Sequence, residues 1–364
     1  MKLENQTILI VSNEGWGNTW YSKHNYAWEL SKKNTVYFVN PPNKFSPFNI
    51  FRQNITEHKI ANNLYTIAYK NILPVRFEFL RILNERFVFK KMNIFLKRKK
   101  LLNPIFWTFD PIRLTSPEIL NPKIIILHLV DKYRFTYPAE TIIAKKAQLL
   151  LCIAKDIADG VYALNNNVHV IPHAIATEEF SLKITSNNNS KINTGVYVGN
   201  IDLRTDFEMA FYILNRFPEI TFHFVGKIID SHFTNAPLEL FSGKYPNVIY
   251  HGEKPFKELK DYITNANFCF LFKDVKFPGN NISSHKMLQY FAQGKPIFST
   301  RLSKYEDIEH LLFMRNDKVE LGDLIENFIK NGDDSSLVNK RIEYAKAHTF
   351  EITLKKIEAL VHGK

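Results

Sequence analysis

Short apolar runs rich in β-branched residues alternate with stretches of helical spacing along most of the chain. In the first half TILIVS, TVYFVN, NLYTIAY, IFWTF, KIIILHLV, LLLCIA and VHVIP read as strands, with helices over 22–32, within 75–100 and near 138–147. Strands of this kind, bounded by turn residues and separated by helical patterns, predict a parallel sheet wound by crossover helices. The polar stretch TSNNNSKINT (185–194) has no apolar periodicity and reads as a loop. A second series follows: GVYVG, helix 206–217, TFHFVG, VIYHG, helix 256–266, FCFLFK, helix 284–293 and PIFST. The chain closes on FEITLKKIEALVHG, an amphipathic helix offering Ile352, Leu354, Ile357, Leu360 and Val361 for packing. The expected fold class is α/β, with two Rossmann-like domains in tandem and a boundary near 175–193.

Composition fits that picture. A chain of 364 residues, 45% hydrophobic and 23% charged, is long for one core and accords with two globular domains. The formal charge of +12 points to an anionic partner: nucleic acid, a membrane surface or a phosphorylated small molecule. A lysine-rich protein with no special partner is the plain alternative. Cys152 and Cys269 sit inside apolar runs and read as buried thiols rather than a disulfide or a metal site. Glu4 interrupts the N-terminus, so it does not read as a signal peptide, and no apolar run approaches the roughly 18–20 residues of a membrane span. The expected location is the cytoplasm, with contact to the inner face of the membrane.

Ligands of such sheets bind beyond the carboxyl ends of the strands, so chemistry is sought in the strand-to-helix turns. The first turn, SNEGWGNTWYSKHN, carries Gly15 and Gly17, which let a backbone approach a ligand or simply make a turn. In ILHLVDKYRF, Asp131 lies at a carboxyl end, where a carboxylate serves as general base on an acceptor hydroxyl or as a helix cap; His128, inside the apolar run, reads as a core histidine. Asp110 precedes Pro111 and reads as a turn. In VGNIDLRTDFE, Gly199 opens a turn and Arg204 stands before a helix, placed to hold a phosphate or to face solvent.

SSHKMLQYFAQGKPIFST (283–300) is the richest stretch. Ser283 and Ser284 are natural caps; Met287, Leu288 and Phe291 form a buried face, and Lys286, Gln289 and Gln293 lie together on the other side. An anion at this helix start is held by backbone N–H groups and Lys286, leaving Gln289 for a neutral part of the same ligand; a solvated helix face is the alternative. The chain has no P-loop, D-x-D, HExxH or paired CxxC. Any nucleotide diphosphate must therefore be neutralised by lysine, arginine and helix dipoles. Residues 75–100 place Phe77, Leu80, Leu83, Phe87, Ile94 and Phe95 at roughly helical spacing among basic residues, which reads as a membrane-surface helix or as a helix packed on the sheet.

These segments resemble glycosyltransferases of the GT-B type, in particular the GT4-like bacterial polysaccharide enzymes. VIPHAIATEEF resembles their interdomain stretch, with His173 and Ala174 in place of Asn-Gly, and GVYVGNIDLRTDFEMAF their first donor-domain strand and turn. NVIYHGEKPFKELKDYITNANFCFLFK, SHKMLQYFAQGKPIFST and AKAHTFEITLKKIEAL are similar to the segments that follow, the last to a helix crossing back to the first domain. The resemblance implies two Rossmann-like domains facing across a cleft. Residues 1–175 would bind the acceptor, residues 176–349 a UDP- or GDP-sugar, and helix 350–362 would pack back on the first domain. It also implies membrane contact through helix 75–100. By position, Lys286 would contact donor phosphate or sugar, with Gly199, Arg204, Ser284 and Gln289 around it. Gln289 and Asn281 stand where many relatives carry the two glutamates of an E-x7-E motif. The lysine followed three residues later by glutamine is similar to xanthan glucuronosyltransferase-like inverting enzymes, whose base is a first-domain aspartate; Asp131 takes that position here.

The expected activity is sugar transfer from a nucleoside-diphosphate sugar to a hydroxyl of a lipid-linked or glycan acceptor in cell-surface polysaccharide synthesis, with no cofactor, metal or nucleic acid. Two other readings share parts of the pattern. A GT-B-fold NDP-sugar epimerase has no use for the basic aromatic helix, and a non-catalytic nucleic-acid-binding protein lacks any recognised motif.

Overall fold

A computed structural model describes residues 1–42, 55–133, 135, 138–181, 191–229, 239–277 and 285–362. It forms two compact units, Met1–Pro172 with Phe350–Lys364 and His173–Thr349.

The first unit is built on β1 (Thr7–Val11), β2 (Thr35–Val39), β3 (Thr56–Ala61), β4 (Leu64–Ala68), β5 (Ile105–Thr108), β6 (Ile124–Leu129), β7 (Leu149–Cys152) and β8 (Val168–Val170). Across the sheet they run β3-β4-β2-β1-β5-β6-β7-β8, all parallel except β3 with β4. Every residue of β5, β6 and β7 is buried. A parallel sheet covered on both faces demands continuous apolar strands, so these segments show no alternation. The crossovers carry α1 (Ser22–Ser31), α2 (Glu78–Arg98), α3 (Pro138–Lys146) and α4 (Lys155–Asp159). Strand order reverses between β1 and β5, and the crevice at such a reversal is where open α/β sheets bind ligands.

The expected apolar stripe of helix 75–100 is split between solvent and the sheet. The buried side of α2 is Arg81, Asn84, Glu85, Val88, Phe89, Met92 and Leu96. Its polar half is satisfied internally: Glu85 accepts from Arg81 at 2.6 Å and from the backbone N–H groups of Leu114 and Thr115 at 3.0 and 2.8 Å. Phe77, Phe79 and Phe87 are 65%, 69% and 46% exposed and Ile94 52%, whereas Leu80, Leu83 and Phe95 are half-buried, Phe95 edge-on to Tyr37 at 5.9 Å.

The second unit carries β9 (Thr194–Val198), β10 (Thr221–Val225), β11 (Val248–Tyr250), β12 (Phe268–Leu271), β13 (Ile297–Ser299) and β14 (Phe313–Met314). They are all parallel, in the order β11-β10-β9-β12-β13-β14, which reverses between β9 and β12. Its helices are α5 (Phe207–Arg216), α6 (Leu259–Asn265), α7 (His285–Ala292), α8 (Lys318–Asn331) and α9 (Ser335–Lys346). Asp206, Asp317 and Asp334 cap α5, α8 and α9 by accepting backbone N–H groups. The apolar pattern over 303–349 was not resolved into elements above; it forms β14, α8 and α9, and Arg341 of α9, fully buried, is bound by Asp333 and the Leu311 carbonyl. The last helix, α10 (Phe350–His362), belongs to the first unit, where Phe350 meets the Tyr26 ring edge-on at 5.0 Å. Among the described residues no helix is long and apolar enough to cross a membrane.

Candidate functional site

In the second unit the turn after β9 and the start of α7 converge on one point. Gly199 has φ +136° and Gly226 φ +154°, conformations that L side chains rarely adopt. A Cβ on Gly226 would collide with the Gly199 carbonyl, and one on Gly199 would collide with the Lys286 ammonium. The two glycines therefore let the ends of β9 and β10 close up and let Lys286 lie directly on the backbone. Lys286 Nζ donates to the Tyr197 hydroxyl at 3.2 Å and stands 4.5 Å over its ring; that hydroxyl donates to the Asn200 carbonyl at 2.6 Å.

Two further cations share the region. Arg204 clasps Asp202 through Nε, 3.0 Å from each carboxylate oxygen, and through Nη2. Lys273 follows β12. Burial, then the charges of Lys273 and Arg204, push the Lys286 ammonium well below the usual lysine range. Burial and Arg204 push Lys273 down to about 8. Burial raises the Asp202 carboxyl, but the hydrogen bonds and charge of Arg204 outweigh it and hold it below its ordinary value. Three basic side chains thus gather around the Asp202 carboxylate, an arrangement that favours a bound anion. Sequence reading singled out Lys286, Arg204 and Gly199; it missed Lys273, Asp202 and Tyr197. FCFLFK had the signal for Lys273, a lysine at the carboxyl end of a strand.

The amides of α7 are not on a solvated face. Gln289 and Gln293 are 6% and 8% exposed. Gln289 Nε2 donates to Glu179 Oε2 at 2.8 Å; Gln293 Nε2 donates to the Glu179 carbonyl, and its Oε1 accepts from Ser181 and Thr264. The 173–181 segment covers this side of α7, so the helix is buried nearly all round. Glu179 was not singled out in the sequence. Ser284 lies outside the described residues.

At the carboxyl ends of the first unit, charge is balanced pair by pair. Lys23, buried on α1, forms an ion pair with Glu14 and donates to Asn13 Oδ1 at 2.5 Å. Asp110, after β5, accepts from Arg113 Nε at 2.6 Å and from the Ile112 backbone N–H at 2.9 Å; Arg113 also donates to the Tyr69 hydroxyl at 2.8 Å. Asp110 is therefore part of a built ion pair and not only a turn. Asp131, after β6, is exposed and makes no ion pair among the described residues. Tyr133, two residues on, has its hydroxyl pushed up by burial first and then by the charges of Asp131, Asp110, Glu14 and Glu140. Gly15 and Gly17 have open space where a Cβ would stand. The Gly15 carbonyl lies 3.1 Å from His24 Nε2, and burial holds His24 neutral, its pKa lowered to about 4. His128 is fully buried against Phe109 at 4.8 Å.

No family model matches the sequence, and no curated relative matches it. Solved structures do. Sucrose-phosphate synthase from Thermosynechococcus elongatus aligns over 99% of each chain, with a TM-score of 0.68 and 13% identity. Anabaena HepE in complex with UDP and glucose aligns over 98% of this chain and 100% of its own, at TM-score 0.67 and 12% identity. The α,α-trehalose 6-phosphate synthase from Burkholderia multivorans aligns over 98% of each chain, at 0.68 and 9%. At these identities the likeness fixes the architecture: the chain has the GT-B fold.

Proposed function

We propose that the protein is a glycosyltransferase that moves a sugar from a UDP- or GDP-sugar to a hydroxyl of a lipid-linked or glycan acceptor. The observation that carries this reading is the cluster of Lys286, Lys273 and Arg204 around Asp202, set against the backbone at Gly199. Such a cluster suits a leaving diphosphate, whose negative charge grows as the bond to the anomeric carbon breaks. HepE, which shares the fold, was solved with UDP and glucose, and this supports a nucleotide-sugar donor.

Each residue then has a role. Residues 176–349 form the donor domain, where Lys286 and Lys273 offset the diphosphate. Arg204 acts there as a charge held by Asp202. The first unit is the acceptor domain, residues 1–175 with helix 350–362, its Gly15–Gly17 turn forming part of the acceptor surface. Asp131 takes the proton from the attacking hydroxyl; Glu14 and Asp110 are each already paired with a cation. Neutralisation by protein cations implies turnover without a divalent metal, and the outward aromatics and lysines of α2 suit attachment to the inner face of an anionic membrane, where cell-surface polysaccharides are assembled.

The test is a thermal-shift screen against UDP-, GDP- and dTDP-sugars followed by turnover with the stabilising donor, with and without EDTA. We expect one nucleotide class to raise the melting temperature and Lys286→Ala to lose most turnover. Wild-type turnover in Lys286→Ala would sink the site assignment, and no response to any nucleotide sugar would sink the function.

A further inference from the structure

The geometry points to a hydroxyl-binding site made by Glu179 and His285, in which Gln289 positions the carboxylate and does not itself meet the ligand. This rests on the donor reading above and names how the neutral part of that donor is held.

Glu179 has hydrogen-bond capacity to spare. Glu179 is buried, 9% exposed, and its carboxylate can accept about four hydrogen bonds. Two are made: Oε1 accepts from the Ala176 backbone N–H at 3.1 Å, and Oε2 accepts from Gln289 Nε2 at 2.8 Å. No lysine or arginine pairs with it among the described residues. A carboxylate only accepts, so the Gln289 amide must turn its N–H₂ group toward it, and the orientation follows from chemistry.

Across from it, His285 Nε2 is buried and has no hydrogen-bond partner among the described residues. It stands 3.7 Å from Glu179 Oε2, too far for a hydrogen bond. An oxygen about 2.8 Å from each atom fits that gap. A hydroxyl meets both demands at once: it donates its proton to the carboxylate and accepts from the imidazole N–H. An anionic group is repelled by Glu179. The ring is held in place, edge-on to His173 at 6.3 Å and tilted against Phe256 at 6.1 Å. Lys286 and His285 both stand in the first turn of α7, so the pair lies at the same end of the helix as the cation cluster, and the proposal assigns it the neutral, hydroxyl-bearing part of the ligand whose phosphate Lys286 holds.

Two parts of the donor carry such a hydroxyl, the ribose and the transferred sugar. Calorimetric titration of the full chain with UDP, 2′-deoxy-UDP, 3′-deoxy-UDP and UDP-glucose separates them; if the screen selects guanosine donors, the GDP series replaces these. We expect Glu179→Gln to weaken binding about 10- to 100-fold. The loss appears with UDP itself, and a deoxy form binds the wild type equally poorly, if the hydroxyl is the ribose's; it appears only with the sugar nucleotide if it is the sugar's. Gln289→Glu alone sets two carboxylates together and also weakens binding. The exchange Glu179→Gln with Gln289→Glu restores the hydrogen bond between the two side chains but points the residue-179 amide N–H₂ at the place where the hydroxyl must donate, so affinity should stay low; recovered affinity would place the ligand contact on residue 289 and overturn the assignment. A thermal melt of each variant separates lost binding from lost folding. Glu179→Gln that melts and binds every ligand like wild type overturns the hydroxyl site and leaves the donor reading intact. Wild-type protein that binds none of these nucleotides overturns both.

Discussion

The two sheets end in similar crevices but treat charge in opposite ways. At the carboxyl ends of the first unit, Lys23 has Glu14 and Arg113 has Asp110, while Asp131 makes no ion pair among the described residues. In the second unit Lys286, Lys273 and Arg204 gather near the Asp202 carboxylate. A buried cation without its carboxylate costs folding free energy, because desolvation of the ammonium is not offset by a partner. The first unit avoids that cost and the second accepts it. Under the proposed function, the difference matches what a base and an anion site would each require: one carboxylate able to take a proton, and a positive field that a ligand completes.

The largest effect should come from removing the Asp131 carboxylate. Asp131→Asn keeps the shape and removes the base, and kcat should fall about 10²- to 10⁴-fold with donor affinity unchanged. Steady-state kinetics alongside donor titration checks this. An Asn variant with near-normal kcat breaks the comparison at its first term and moves attention to Glu14.

Next is the cation itself. Lys286→Met keeps the alkyl contact with Tyr197 and removes the charge, and turnover should drop about 10²- to 10³-fold. Its melting temperature without ligand should stay level or rise, since a desolvated charge has gone. Destabilisation of the ligand-free protein would mean that Lys286 is a structural contact instead.

A third test uses pH. Lys273 is held near 8 by burial and by Arg204. Bound diphosphate favours its charged form, so donor binding takes up a proton above about pH 8, and affinity should fall as pH rises from 8 to 10, by up to tenfold per unit. Stability of the free protein moves the other way. The folded pKa lies below the ordinary 10.5, so the folded state binds fewer protons between about 8 and 10.5 and this group's contribution rises with pH there. Lys273→Met should flatten both trends, read by titration and by chemical denaturation across that range.

Much of the fold was legible because its strands are extreme. IIILHL and LLLC are buried on both faces, so the sequence has to be continuously apolar, and the alternation with helices then implies parallel pairing. The candidate site was legible only where one short motif reports its own context. KMLQYFA marks a helix start after a loop, and Lys286 follows from that. Gln289 did not, because its burial depends on Glu179, 110 residues earlier, and no local spacing encodes which segment will cover a helix face. Lys273 and Asp202 escaped for the same reason: a lysine at a strand end looks like any solvated lysine until the strand beside it is known. Helix α2 was legible on its outer side only. Its aromatics follow a helical period, but the side facing the sheet is chosen by Arg81, Asn84 and Glu85, whose polar groups find internal partners.

That helix supplies the smallest expected effect, and it bears on the same contrast. The first unit balances charge at its strand ends, yet Arg86, Lys90, Lys97, Arg98, Lys99 and Lys100 are exposed along or just after α2, beside the outward Phe77, Phe79 and Phe87. Positive charge in the second unit is concentrated and shielded, suited to a small anion. On α2 it is spread and wet, suited to a surface of many weak anions, each worth about 1 kcal/mol per basic residue near the bilayer. Phe77→Ser with Phe79→Ser removes apolar area and leaves every charge in place. Binding to vesicles containing phosphatidylserine, followed by co-sedimentation, should weaken about tenfold, while turnover with a soluble acceptor is unchanged. Vesicle binding that is lost in salt but indifferent to the two phenylalanines would reduce α2 to an electrostatic patch; loss of soluble turnover would place these side chains in the acceptor site.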